Sequence, residues 1–296
     1  MKFTKVIAIG MLILSLSVGG FAQKSLPIIF AVLDDGKTIE PIAYVKENKL
    51  YKTVDGGTAT NEKSSFTRKY FRNKSKYKLI FAGKNSGVVT IKSSNYKADC
   101  TSNMAQVSLG ATKAKIKGFV MGLATDIRTK ETASGIRRLP TIAERAEFEK
   151  IVRDEFVKQN ISEETAKDLK YHNLTAIDVD DTGIAELVGT FWVNTSETEK
   201  ALLFLIVDKE KSGTYTLTYS DFRLVKQADV MNEKIETLDN GTSHELLLDS
   251  FDYDGDGVSE IFTMIKGFEG NTFNVYIREN GKWIKTFETM NYHCAF

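Results

Sequence analysis

The sequence predicts a mainly β protein with a short helical segment. An N-terminal β-sandwich or barrel is expected first, then a C-terminal antiparallel β domain built from a duplicated unit with acidic loops. Three observations predict this. Short apolar runs recur between turn signals through the first half. Helix periodicity is confined to one stretch near the middle. Two acidic motifs lie 74 residues apart in the second half, each followed by an apolar run that suits a strand.

Residues 1–22 read as a leader outside the fold. Lys2 and Lys5 give a positive start, and residues 6–18 form an apolar core too short for a comfortable bilayer span. Gly20-Phe21-Ala22 then offers a small-x-small cleavage site before Gln23. The alternative, a membrane anchor, has the wrong length and flanks. The expected location is periplasmic or extracellular. No later segment has the length and apolarity of a transmembrane helix. The mature chain carries 38 basic and 39 acidic residues, a balance that does not suit nucleic acid as a partner. Charge is unevenly placed, with 20 Lys+Arg against 8 Asp+Glu over 23–130 and 18 against 31 over 131–296. Two units of opposite surface charge are expected, able to attract each other.

Residues 23–128 form the expected basic β domain. Ile28-Ile29-Phe30-Ala31-Val32-Leu33 meets Asp34-Asp35-Gly36, a hairpin signal, and Ile42-Ala43-Tyr44-Val45 follows. Further strand-like runs are Leu79-Ile80-Phe81, Val88-Val89-Thr90-Ile91 and 116–120. No helix-period segment is expected here. Arg72, Lys74, Lys76 and Lys78 alternate at period two, so one strand would place all four on one face. That face could hold a phosphate or an acidic polysaccharide, blunt an edge strand as a solvated face, or meet the chain's own acidic half.

Residues 129–171 read as linker and helices. The linker is polar and basic and ends near Pro140; Thr141-Ile142-Ala143-Glu144 is a capping box. Phe148, Ile151, Val152 and Phe156 then make one apolar stripe, and Ser162-Glu163-Glu164 starts a shorter helix. From 172 to 296 strands return as an acidic β domain. Each copy runs acidic loop, strand, strand, turn, strand, and the last turn of the second copy is an Asn280-Gly281 hairpin signal.

The acidic motifs carry the chemistry. Asp252, Asp254 and Asp256 alternate before Gly257 and Glu260, which is how a short loop wraps oxygen ligands round a hard cation such as Ca²⁺. The weaker copy is Asp178, Asp180, Thr182, Gly183 and Glu186. An EF-hand is not expected, because position 12 is Thr263 in a β-type run rather than a bidentate Glu before a helix. A solvated acidic turn without metal is the alternative. Both stretches resemble the calcium loops of FG-GAP/VCBS-type repeats, and the chain as a whole resembles a secreted bacterial protein. The resemblance implies ligands at loop positions 1, 3, 5 and 9 and a backbone carbonyl at 7. These fall on Asp252, Asp254, Asp256, Val258 and Glu260, and on Asp178, Asp180, Thr182, Ile184 and Glu186. Thr182 replaces a carboxylate, and Glu stands at position 9 where the family more often has Asp.

Cys100 and Cys294 are the only cysteines, and an oxidising compartment favours a bond between them. A catalytic thiolate paired with His293 is the alternative, but strand neighbours point to opposite faces. The other histidines, His172 and His244, lack metalloprotease spacing, and no nucleophile elbow, phosphate loop or dinucleotide fingerprint is present. The expected function is that of an exported, calcium-stabilised binding or structural module whose partner is a protein or an anionic polysaccharide. The competing expectation is a secreted hydrolase with a structural calcium and a cleft between the domains.

Overall fold

The computed structural model describes residues 25–94, 103–110, 114, 121–128, 136–231 and 234–293. The leader, Cys100, Cys294, the apolar run at 116–120 and most of the linker lie outside the described residues.

Seven strands make the first unit: β1 (Ile28–Leu33), β2 (Thr38–Lys46), β3 (Lys49–Lys52), β4 (Lys76–Phe81), β5 (Lys84–Ser94), β6 (Ala105–Leu109) and β7 (Gly122–Thr125). Their order is β1-β7-β4-β5-β6-β2-β3, and β1 also pairs with β2, so six of them close into a barrel. Of the two architectures expected from the sequence, the barrel is the one formed. β1 reads as an unbroken apolar run because both of its faces are covered, the inner one by the closed barrel and the outer one by another sheet. Ile28, Phe30 and Val32 join residues of the other barrel strands in an interior core, whereas Ile29, Ala31 and Leu33 pack outward on another sheet.

The basic half does contain a helix, contrary to the sequence expectation. α1 (Thr60–Tyr70) contributes Phe66 and Tyr70 to the barrel core. Its buried stripe is Lys63, Phe66, Thr67 and Tyr70, correctly spaced for a helix but half polar. Lys63 is fully buried and donates from Nζ to the Gly56 carbonyl at 3.2 Å. The expected four-residue basic strand face is also corrected. Arg72 and Lys74 lie in the turn after α1, Lys74 with φ of 68°, and only Lys76 and Lys78 are on β4. The Tyr70 carbonyl accepts from the Tyr77 hydroxyl at 2.5 Å, which ties the end of the helix to that strand.

The second sheet is β12-β11-β10-β9-β8, formed by β8 (Arg137–Arg138), β9 (Lys170–Ile177), β10 (Glu186–Ser196), β11 (Glu199–Lys209) and β12 (Tyr215–Lys226). α2 (Ile142–Lys158) and α3 (Glu163–Lys167) cover one face, with Phe148, Val152 and Phe156 against Leu187, Phe191 and Leu203. The capping box forms as expected: Thr141 Oγ1 accepts from Glu144 N, and the Glu144 carboxylate accepts from Thr141 N.

The third sheet is the meander β13 (Glu245–Phe251), β14 (Glu260–Lys266), β15 (Gly270–Glu279) and β16 (Lys282–Tyr292). It is the middle layer. Leu248, Phe262 and Val275 face the barrel, while the alternate residues Leu247, Ile261 and Tyr276 face the second sheet. The order through the molecule is therefore helices, second sheet, third sheet, barrel. β9–β12 and β13–β16 share one connectivity, with an acidic loop joining the first two strands of each. No helix among the described residues is long and apolar enough to cross a membrane.

Candidate metal centre

Both acidic loops leave the end of one strand and return at the start of the next, β9 to β10 and β13 to β14. Their backbones follow one plan. The fourth residue has positive φ in each, Asp181 at 56° and Gly255 at 84°, and so does the sixth, Gly183 at 79° and Gly257 at 99°. Left-handed backbone at the sixth position is why glycine stands there twice.

The hydrogen bonds are duplicated too. The first aspartate accepts from the glycine N–H at position 6, Asp178 from Gly183 at 2.9 Å and Asp252 from Gly257 at 3.2 Å. Position 5 accepts from the N–H of position 7, Thr182 from Ile184 at 3.3 Å and Asp256 from Val258 at 2.7 Å. The glutamate accepts from position 2, Glu186 from Val179 at 3.3 Å and Glu260 from Tyr253 at 3.1 Å. The two loops lie side by side, joined by a bond from Ser259 N to the Val179 carbonyl at 2.7 Å.

Their electrostatics differ. In the second loop Asp252, Asp254 and Asp256 each offer an oxygen, all within 4.8 Å of one another, and this is the only such carboxylate cluster among the described residues. Glu260 is buried, and desolvation first, then the loop aspartates, push its carboxyl up to about 8. Burial and the neighbouring Asp256 and Asp252 charges also raise Asp254. No basic side chain among the described residues forms an ion pair with Asp252, Asp254, Asp256 or Glu260. Four oxygen-bearing side chains held by backbone donors fit a hard divalent ion. Calcium, when bound there, would supply the charge that these carboxylates lack.

The first loop has its cation already. Arg278 of β15 reaches Asp180 Oδ2 at 3.2 Å, Glu186 Oε1 at 4.0 Å and Asp208 Oδ2 at 2.7 Å. Thr182 Oγ1 donates to Asp180 Oδ1 at 2.8 Å. Burial again pushes Glu186 up to about 8. Neither Arg278 nor Asp208 is visible in the motif, because they come from other strands.

Of the anion-binding candidates Arg72, Lys74, Lys76 and Lys78, only Lys76 and Lys78 share a strand, and Lys78 donates to the Ile127 carbonyl at 3.2 Å. A cleft of about 520 Å³ lies where barrel, second sheet and α2 meet. Its polar lining is Arg137, Arg145, His172, Asn173 and Thr175, with an apolar remainder. Arg137 is committed to Asp249 at 2.9 Å, and Arg145 to Glu149 at 2.7 Å. Behind His172, Trp192 and the fully buried His244 pack ring against ring. No family model, curated protein or solved structure matches the chain.

Proposed function

We propose that this chain is an exported binding or structural module of the cell envelope or extracellular space, braced by a calcium ion in the loop 252–260. The observation that carries the reading is the convergence of Asp252, Asp254 and Asp256 within 4.8 Å beside the buried Glu260. Like charges so placed repel unless a cation joins them. The loop joins the first two strands of the middle sheet, β13 and β14, so an ion there stiffens the layer on which both neighbours pack. Likeness to FG-GAP/VCBS-type loops agrees with this. The dissociation constant should lie at about 10⁻⁴–10⁻³ M, as for extracellular calcium modules.

The cleft presents Arg137, Arg145 and His172 beside apolar side chains, a lining that suits a bound ligand. Export supports a Cys100–Cys294 bond, and so do their described neighbours. Asn291 donates from Nδ2 to the Asn103 carbonyl at 3.1 Å and accepts from Asn103 N at 3.2 Å, so the chain passes close to itself three residues from each cysteine.

Calorimetric titration of the mature chain with calcium is the test. A saturable isotherm lost in Asp254→Ala and Asp256→Ala is expected. Absence of any calcium heat with the folded wild type overturns the reading.

A further inference from the structure

We propose that Arg278 is the built-in cation of the first acidic loop, so that the chain takes up one calcium ion and not two; the stoichiometry rests on the calcium reading of the second loop. The two loops match in backbone conformation and in three side-chain-to-backbone bonds, which makes the difference between them informative. In one, three aspartates converge with no ion pair among the described residues. In the other, a guanidinium lies among Asp180, Glu186 and Asp208 at 3.2, 4.0 and 2.7 Å.

The arrangement follows from the register of β15. Tyr276 faces the second sheet and pairs with Ile261. Arg278, two residues on, projects to the same side and arrives at the loop between β9 and β10. Asp208 at the end of β11 is held in place by Trp283 Nε1, which donates to its Oδ1 at 2.9 Å. Arg278 also lines the hollow beside Asp254, Asp256 and Glu260, yet it forms its ion pairs with the first loop. A calcium ion needs six to eight oxygens at about 2.3–2.6 Å. In the first loop the guanidinium holds Asp180 and Glu186, and Thr182 Oγ1 is spent on Asp180. A divalent ion there would meet a like charge at contact distance.

The experiment counts ions. Mature wild type, Arg278→Gln and Arg278→Lys are dialysed to equilibrium against calcium, and bound metal is measured per folded chain. Glutamine keeps a hydrogen-bonding group for Asp208 while removing the charge. The expected result is one additional ion in Arg278→Gln and none in Arg278→Lys. No additional ion in folded Arg278→Gln, or two ions in the wild type, overturns the proposal. Should wild type bind none and Arg278→Gln bind one, the inference stands while the calcium reading of the second loop falls. Should Arg278→Gln fail to fold, Asp180→Asn in the wild-type background decides. An unchanged calcium count supports the inference, and a lost ion overturns it.

Discussion

Calcium should raise the melting temperature through the second loop alone, and the size of the effect follows from linkage. With a dissociation constant of about 10⁻⁴–10⁻³ M, 10 mM calcium stabilises the folded chain by about 1.4–2.7 kcal/mol. For a chain of this length that is a rise of about 3–5 °C. Asp254→Ala removes one of three oxygens lying within 4.8 Å of one another and should lose most of the rise. In chelator two opposing changes apply. The variant relieves repulsion of about 1 kcal/mol per neighbouring charge in water-like surroundings. It also gives up the bond from Asp256 N to Asp254 Oδ1, at 3.0 Å, worth about 1 kcal/mol. Wild type and variant should therefore melt within a degree or two of each other without calcium and diverge with it. Asp180→Ala should behave differently, costing stability equally in calcium and in chelator because it breaks an ion pair with Arg278. Scanning calorimetry of the three proteins in both conditions is the assay. A wild-type melting temperature indifferent to 10 mM calcium and to chelator refutes the reasoning.

Two further predictions concern acid and export. His244 is fully buried, and desolvation, helped by His172 and Arg223, pushes its pKa down to about 3. The unfolded chain thus takes up a proton below its ordinary value of 6.5 that the folded chain refuses. Stability must fall on acidification from there toward 3, by about 1.4 kcal/mol per pH unit. His244→Phe should flatten urea-derived stability against pH by that amount, and an unchanged slope would count against it. Protein recovered from its native host should begin near Gln23 and be two mass units lighter without reductant than with it. Cys294→Ser should then cost about 4–5 kcal/mol in the chain-entropy model. A retained leader or two free thiols would remove the export argument.

Local chemistry was legible in the sequence, and contacts between layers were not. The hairpin signals at Asp34-Asp35-Gly36 and Asn280-Gly281, the Thr141 capping box and both acidic loops rest on residues close in sequence, and each forms where expected. α1 was hidden because two of its four buried stripe residues are Lys63 and Thr67, which the barrel accepts only by giving Lys63 a carbonyl. The basic period-two pattern misled for the opposite reason. Alternation fits a strand, but the chain leaving α1 needs a turn, and Lys74 supplies its left-handed residue. The buried polar hubs were equally silent. Glu40 accepts from Asn271 and Asn291, welding β2 of the barrel to β15 and β16, and no motif marks any of the three.

Stacking the two meanders face to face explains why their loops differ. The layers bring both loops to one edge, as the bond from Ser259 to Val179 shows, and nine carboxylates gather there: Asp178, Asp180, Asp181, Glu186, Asp208, Asp252, Asp254, Asp256 and Glu260. Burial already holds Glu186 and Glu260 toward their neutral forms, and the aspartate charge among the rest opposes stacking at that seam unless cations enter it. Arg278 supplies one, delivered by β15 across the sheet interface to the loop with the poorer ligand set, where Thr182 stands for an aspartate. On the proposed calcium reading, the loop with the full set of three aspartates is left for an ion from solution. Under the proposed export and calcium binding, the seam would close where millimolar calcium is at hand and be weaker before the chain gets there.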